Sequence, residues 1–204
     1  MLADAPANSS SSAKRTLFAS DRERRLWKWT ACLVAGIYAT LGIASTLAEF
    51  LYNQGLSAIL FLTCMLMVGL TILMQGLRAR PRGIEIGVLL GIAVVYFMVL
   101  FRLAIPERSH LIEYSVVAVF IFEALQERRS HGRKVPLPAV LTIIVTTLVG
   151  AVDEYIQLVL PSRTFEWTDM LFNFLAALMA TLSMVMLGAA RRLAGSLMGD
   201  GEES

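Results

Sequence analysis

Residues 137–190 read LPAVLTIIVTTLVGAVDEYIQLVLPSRTFEWTDMLFNFLAALMATLSMVMLGAA. Two charge-free runs, 137–152 and 170–190, bracket a polar cluster of Asp153, Glu154, Gln157, Arg163, Asp169 and Asn173. An ionisable group at membrane depth costs roughly 3 kcal/mol or more, so such clusters usually mark function. The runs read as membrane-spanning helices. The cluster reads as a working site that the fold alone does not require.

The rest of the chain agrees with this. Apolar residues make up 56% of the 204 positions, and the mean hydropathy is +0.65. A crossing needs roughly 20 apolar residues, and runs of that kind recur. The expected fold is all-α, a polytopic membrane helix bundle of about six transmembrane helices at 29–51, 54–76, 83–104, 109–126, 137–160 and 168–190. Helices are required because lipid leaves the backbone no partners outside its own segment. The fourth span is short and carries Glu113 and Glu123, which places it against protein rather than lipid. The polar residues 1–28 read as a poorly ordered cytoplasmic tail and 191–204 as a second tail. The apolar run 30–48 exceeds the roughly 7–15-residue core of a signal peptide, so it reads as a first span. No room remains for a separate soluble catalytic domain. Any site must be built from the helices and their connections.

Lysines and arginines set the orientation. One side receives Lys14, Arg15, Arg22, Arg24, Arg25, Lys28, Arg78, Arg80, Arg82, Arg128, Arg129, Arg133, Lys134, Arg191 and Arg192, fifteen in all. The other receives Arg102, Arg108 and Arg163. Both termini are therefore expected in the cytoplasm, with the polar cluster facing the extracytoplasmic side. Arg102, Glu107, Arg108, His110, Glu113 and Tyr114 fall at that same depth.

On a helix, side chains three or four residues apart share a face. Asp153 and Glu154 each pair this way with Gln157, His110 with Glu113 and Tyr114, and Asp169 with Asn173. Convergence of these helix ends would give a pocket of carboxylates, one imidazole and one or two arginines. Plainer roles compete: Asp169 or Thr168 as a helix cap, Asn173 as an interhelical link, His110 as a solvated residue, and Asp153 and Glu154 as ion-pair partners of Arg163 or Arg102. Elsewhere the plain roles win. Glu123 and Glu127 near Arg128 look like an inner-surface charge network, Glu85 suits a helix start, and Trp27, Trp29 and Trp167 fit interfacial belts. The methionines read as packing filler. Cys32 and Cys64 read as inert core thiols, and no Cys/His spacing suggests structural zinc.

At the polar positions the sequence resembles the VanZ-like family of small bacterial membrane proteins, over about 96–186. Asp153, Glu154, Gln157, Pro161, Arg163, Asp169 and Asn173 match its late motif, and His110 with Tyr114 an earlier one. Ser162 and Leu175–Ala176–Ala177 stand where the family often has glycine. The resemblance implies an inner-membrane envelope protein, with a founding member linked to low-level teicoplanin resistance, but it supplies no reaction.

Two functions are expected on these grounds. In one, the pocket binds an anionic membrane lipid or cell-wall precursor, with Arg163 and Arg102 engaging phosphate alongside Gln157, Asp169, Asn173 and Tyr114. In the other, Asp153, Glu154 and Asp169 hold a divalent cation such as magnesium, or an acid works with His110 as general base, for hydrolysis or transfer at a lipid-linked phosphate. No nucleophile elbow, phosphate-binding glycine loop or HExxH motif supports the second, and no nucleic-acid partner is expected.

The charge asymmetry predicts a labelling pattern. In a background lacking Cys32 and Cys64, a membrane-impermeant thiol reagent applied to intact cells should modify Ser162→Cys and spare Ser130→Cys. Modification of the Ser130→Cys site alone would invert the topology.

Overall fold

The computed structural model describes residues 17–53, 83–102, 105–160 and 167–199. They form five helices: α1 (Asp21–Asn53), α2 (Gly83–Arg102), α3 (Ile105–Ser130), α4 (Pro138–Val159) and α5 (Trp167–Gly199). No strand occurs among the described residues. Four of these helices, α2 to α5, contain segments long and apolar enough to cross a membrane. The span expected at 54–76 lies outside the described residues, as do Cys64 and 161–166.

Helix α3 is the hub, packing on α1, α4 and α5, while α2 packs mainly on α5 and reaches α3 through Tyr96 and Ser115. Its expected placement against protein holds: more than half of its span is buried, against none of the α2 span. One apolar cluster joins α1, α3 and α4 through Ile37, Val117, Ile121 and Leu125. A second, Leu111, Tyr114 and Ala176, joins α3 to α5 and carries Val99, Val149 and Met179 on its edge.

The packing of α4 is inverted relative to a soluble helix. Its buried face is Pro138, Thr142, Thr146, Gly150, Asp153, Glu154 and Gln157. Its exposed face is Val140, Ile144, Leu148, Val152, Tyr155, Leu158 and Val159. Helix α5 repeats the pattern, with Asn173, Ala176, Ala177, Ala180 and Thr181 inside and Leu171, Phe174, Leu182 and Val185 outside. Small residues let helix backbones approach closely without a bulky apolar core between them, and lipid takes the bulky side chains. This arrangement carries a row of polar side chains down the interior.

Three features depart from expectation. Helix α1 starts at Asp21, eight residues before the expected span, because Ser20 and Glu23 cap it. The Glu23 amide donates to Ser20 Oγ, and the Ala19 amide to the Glu23 carboxylate. This is close to a capping box. Among the described side chains of α1, the buried face bears Glu23, Thr30, Ile37 and Leu41. Cys32 lies off that face and is exposed, so it is not the core thiol expected. Trp27 sits against the first apolar cluster, while Trp29 and Trp167 remain exposed as interfacial residues would. At the other end of the chain, α5 runs on to Gly199, well past the expected span.

The start of α1 is knotted to the end of α3. Arg22 pairs with Glu123 and Glu127, each at 2.8 Å, and Arg128 donates to Glu23 at 2.9 Å. Ser20 adds a hydrogen bond to Glu127. The charge network expected around Glu123 and Glu127 is present, with Arg22 rather than Arg128 as their partner. A left-handed Gly132 (φ 74°) then ends α3. The Arg133 amide reaches the Arg128 carbonyl and the Gly132 amide reaches Arg129, the pairings of a Schellman stop.

Glu23 is fully buried while Arg128 is partly exposed. Glu23→Gln removes the buried carboxylate to which Arg128 and the Ala19 amide donate, which should cost about 1–3 kcal/mol and lower the thermal midpoint. Asp21→Asn, on an exposed pair with Arg24, should leave the midpoint unchanged.

Candidate functional site

The other end of the bundle gathers the end of α4 and the starts of α3 and α5. Asp153 lies six residues before the last residue of α4, about 9 Å along the axis at 1.5 Å per residue. His110 lies five residues into α3, and Asp169 is in the first turn of α5. A carboxylate in a first helical turn is favoured by the positive end of the helix dipole, which suits Asp169 to that place.

The His110 ring is the pivot. Its Nδ1 faces Asp153 Oδ2 at 3.9 Å and its Nε2 faces Asp169 Oδ2 at 3.7 Å. Tyr114, one turn on, stacks on the ring with centroids 6.2 Å apart and planes 9° from parallel. The Tyr114 and Tyr38 hydroxyls lie near the Asp153 carboxylate. Glu154 completes a second grouping: one donor atom each from His110, Glu154 and Asp169 lie within 4.8 Å of one another. Gln157 donates to Glu154 at 3.4 Å. His110, Tyr114, Asp153, Glu154, Gln157 and Asn173 are all buried, and Asp169, with its side chain 14% exposed, is the member nearest the surface. His110 is thus no solvated end residue.

Asn173 sits one turn along α5 from Asp169, fully buried, and neither atom of its amide has a hydrogen-bond partner. Side chains on a helix tilt toward its N-terminus, so Asn173 leans toward the turn that carries Asp169. It fits there because residue 150 is glycine. A Cβ on Gly150 would lie 2.7 Å from Asn173 Cβ and 2.8 Å from Nδ2.

The structure therefore brings together His110, Tyr114, Asp153, Glu154, Gln157, Asp169 and Asn173. It does not bring in Arg102, which is exposed at the last residue of α2. Arg163 and the side chains of Glu107, Arg108 and Glu49 lie outside the described residues. Two positions were missed in the sequence. Tyr38, which also donates to the Val149 carbonyl at 2.7 Å, is a lone phenol in an unremarkable apolar run. Gly150 had a signal: it lies three and four residues before Asp153 and Glu154, on their face.

The profile of the VanZ/LLP1 family matches residues 17–188. The chain belongs to the VanZ/LLP1 family. Neither a curated protein nor a solved structure matches it. As a VanZ/LLP1 member with four apolar helices long enough to span, it is a multi-pass membrane protein. The family match covers every residue of the pocket, along with α1 and the knot at the opposite end.

Gly150→Ala forces a Cβ into Asn173 at its stem, where no rotamer change relieves it. Overpacking of this kind costs about 1–3 kcal/mol, and the thermal midpoint should fall. Adding Asn173→Gly removes the obstructing Cβ and should restore most of the loss. A Gly150→Ala protein as stable as the parent would show that α4 and α5 are not so closely apposed.

Proposed function

We propose that this VanZ/LLP1 protein engages the phosphate-bearing headgroup of an envelope lipid or cell-wall precursor in the pocket around His110. The pocket faces the extracytoplasmic side of a bacterial inner membrane, and its occupancy affects tolerance of glycopeptide antibiotics. The observation that carries the reading is the burial of an imidazole, three carboxylates and two amides where three helix ends meet. Membrane helices meet a high cost for such groups, and intramembrane ionisable residues usually line substrate or ion pathways. The fifteen-to-three distribution of basic residues supports the orientation. A mouth at Asp169 suits a ligand whose headgroup enters while its tail stays in lipid. Arg163, six residues before Asp169 in the sequence, is the planar donor fork assigned to phosphate in this reading.

One observation favours a second reading, catalysis at a lipid-linked phosphate. An imidazole held between two carboxylates, with Asp153 behind Nδ1, is an arrangement that fixes a tautomer and sustains proton transfer or metal ligation. In that reading Glu154 and Asp169 act on the reacting phosphate side and Asp153 positions the ring.

Asp153→Asn, Glu154→Gln and Arg163→Gln separate a working site from a structural ion pair. With immunoblotting to track abundance, all three proteins should accumulate in membranes near the wild-type level while the strain loses glycopeptide tolerance. A loss of tolerance that simply tracks loss of protein would assign these residues to stability. Wild-type tolerance in all three strains would remove the site. Loss largest for Arg163→Gln favours binding, and loss largest for the acid variants favours catalysis.

A further inference from the structure

We infer that His110, Glu154 and Asp169 form a binding site for one divalent transition-metal ion of the zinc or manganese class, with Asp153 as the positioning residue behind the histidine. The inference rests on the pocket reading above, though not on which headgroup enters the pocket.

Donor geometry comes first. The three donor atoms, one per residue and one from each of α3, α4 and α5, lie within 4.8 Å of one another. Metal bonds of about 2.1 Å to nitrogen and oxygen place adjacent ligand atoms about 3 Å apart. A small inward rotation of the side chains closes the triad on an ion.

The histidine is set up as a ligand. A metal-bound imidazole usually presents its second nitrogen to a carboxylate, which fixes the tautomer and the ring plane. Here Nε2 faces the triad side, toward Asp169, and Nδ1 faces the buried Asp153. Stacking on Tyr114 holds the ring plane. Asp153 and Glu154 are neighbours in sequence, yet they take different parts. Asp153 backs the imidazole, and Glu154 faces the shared centre with Gln157 supporting it.

One observation independent of the acids also points to a ligand. Both polar atoms of the fully buried Asn173 amide, one turn from Asp169, are without a hydrogen-bond partner. Buried polar groups are nearly always satisfied. An ion with its bound water would serve Asn173, and ligation at Nε2 would draw Nδ1 onto Asp153.

The donor set names the ion. Carboxylates alone would suit magnesium or calcium, but an imidazole ligand shifts preference toward zinc, manganese or iron(II). Such an ion also makes an acid-lined pocket fit for phosphate, because its open positions accept a phosphate oxygen that the carboxylates would otherwise repel.

The test uses the full-length protein in detergent, stripped with chelator, dialysed, and titrated separately with Zn2+ and Mn2+. Bound metal is counted by mass spectrometry after gel filtration, and unfolding is followed by thermal denaturation. The expected result is one ion per chain and a midpoint that rises with metal. Glu154→Gln, Asp169→Asn and His110→Gln should lose stoichiometric binding. Asp153→Asn should still take one ion, with affinity lower by roughly 10- to 100-fold. Glu123→Gln, at the opposite end, should bind as the parent does. Less than one ion per wild-type chain overturns the site, and this count decides the matter even if the triad variants fail to accumulate. Binding that the triad variants retain also overturns it, since the ion would then be adventitious. Asp153→Asn losing binding as completely as Glu154→Gln overturns the division of roles.

Capture by phosphatidylcholine vesicles with and without a polyprenyl phosphate scores the headgroup reading separately. A bound ion without phosphate-dependent capture supports the metal site and removes the headgroup. Phosphate-dependent capture without a bound ion does the reverse.

Discussion

The constraint on which the structure depends is that lipid offers no partner to a polar side chain, so every polar group on a spanning helix must face protein. Helix α4 obeys it along its whole length. Val140, Ile144, Leu148 and Val152 are given to the outside, and Thr142, Thr146, Gly150, both acids and Gln157 are turned inward. Close approach of α4 and α5 then depends on smallness rather than on apolar bulk, as Gly150 against Asn173 shows. The same smallness that allows contact at mid-helix allows acids from different helices to meet at its end. The cluster around His110 is a consequence of how the bundle is packed.

The two ends of α3 treat charge differently. At its C-terminal end, Glu123, Glu127 and Arg128 find Arg22, Ser20 and Glu23, and the distances are those of direct hydrogen bonds. At its N-terminal end, His110 faces two carboxylates at 3.7 and 3.9 Å, too far for a direct bond. The first end is a closed lock that ties α1 into the bundle. The second is drawn together without being closed, as a site that receives something would be.

Much of this was legible in the sequence because charge-free runs are a coarse and robust signal. The spans corresponding to α2 to α5 are found near the expected positions, and the polar pairs at i, i+3 and i+4 indicated which residues share a face. The illegible part depends on contacts distant in sequence. The tail before Trp29 reads as disordered when its charges are weighed above the Ser20–Glu23 cap, and Glu123, Glu127 and Arg128, about a hundred residues on, hold that helix start in the bundle. Cys32 lies in an apolar run, which says nothing about whether its face meets protein or lipid. Adjacent Asp153 and Glu154 read as one acid pair. Successive residues on a helix point about 100° apart, so neighbours in sequence are set to face different partners.

That last separation bears on how the family motif is understood. If the acid pair acted as a unit, either carboxylate could stand in for the other and the order Asp-Glu would carry little meaning. In this arrangement the order matters. The shorter side chain backs the imidazole, where Tyr114 and Tyr38 also attend it. The longer one reaches toward Asp169 and the mouth, steadied by Gln157 one turn on. Exchange of the two would keep charge, burial and composition, yet leave a carboxylate too long behind the ring and one too short at the centre. The chemistry of the motif therefore lies in the assignment of each acid to its own side of one histidine.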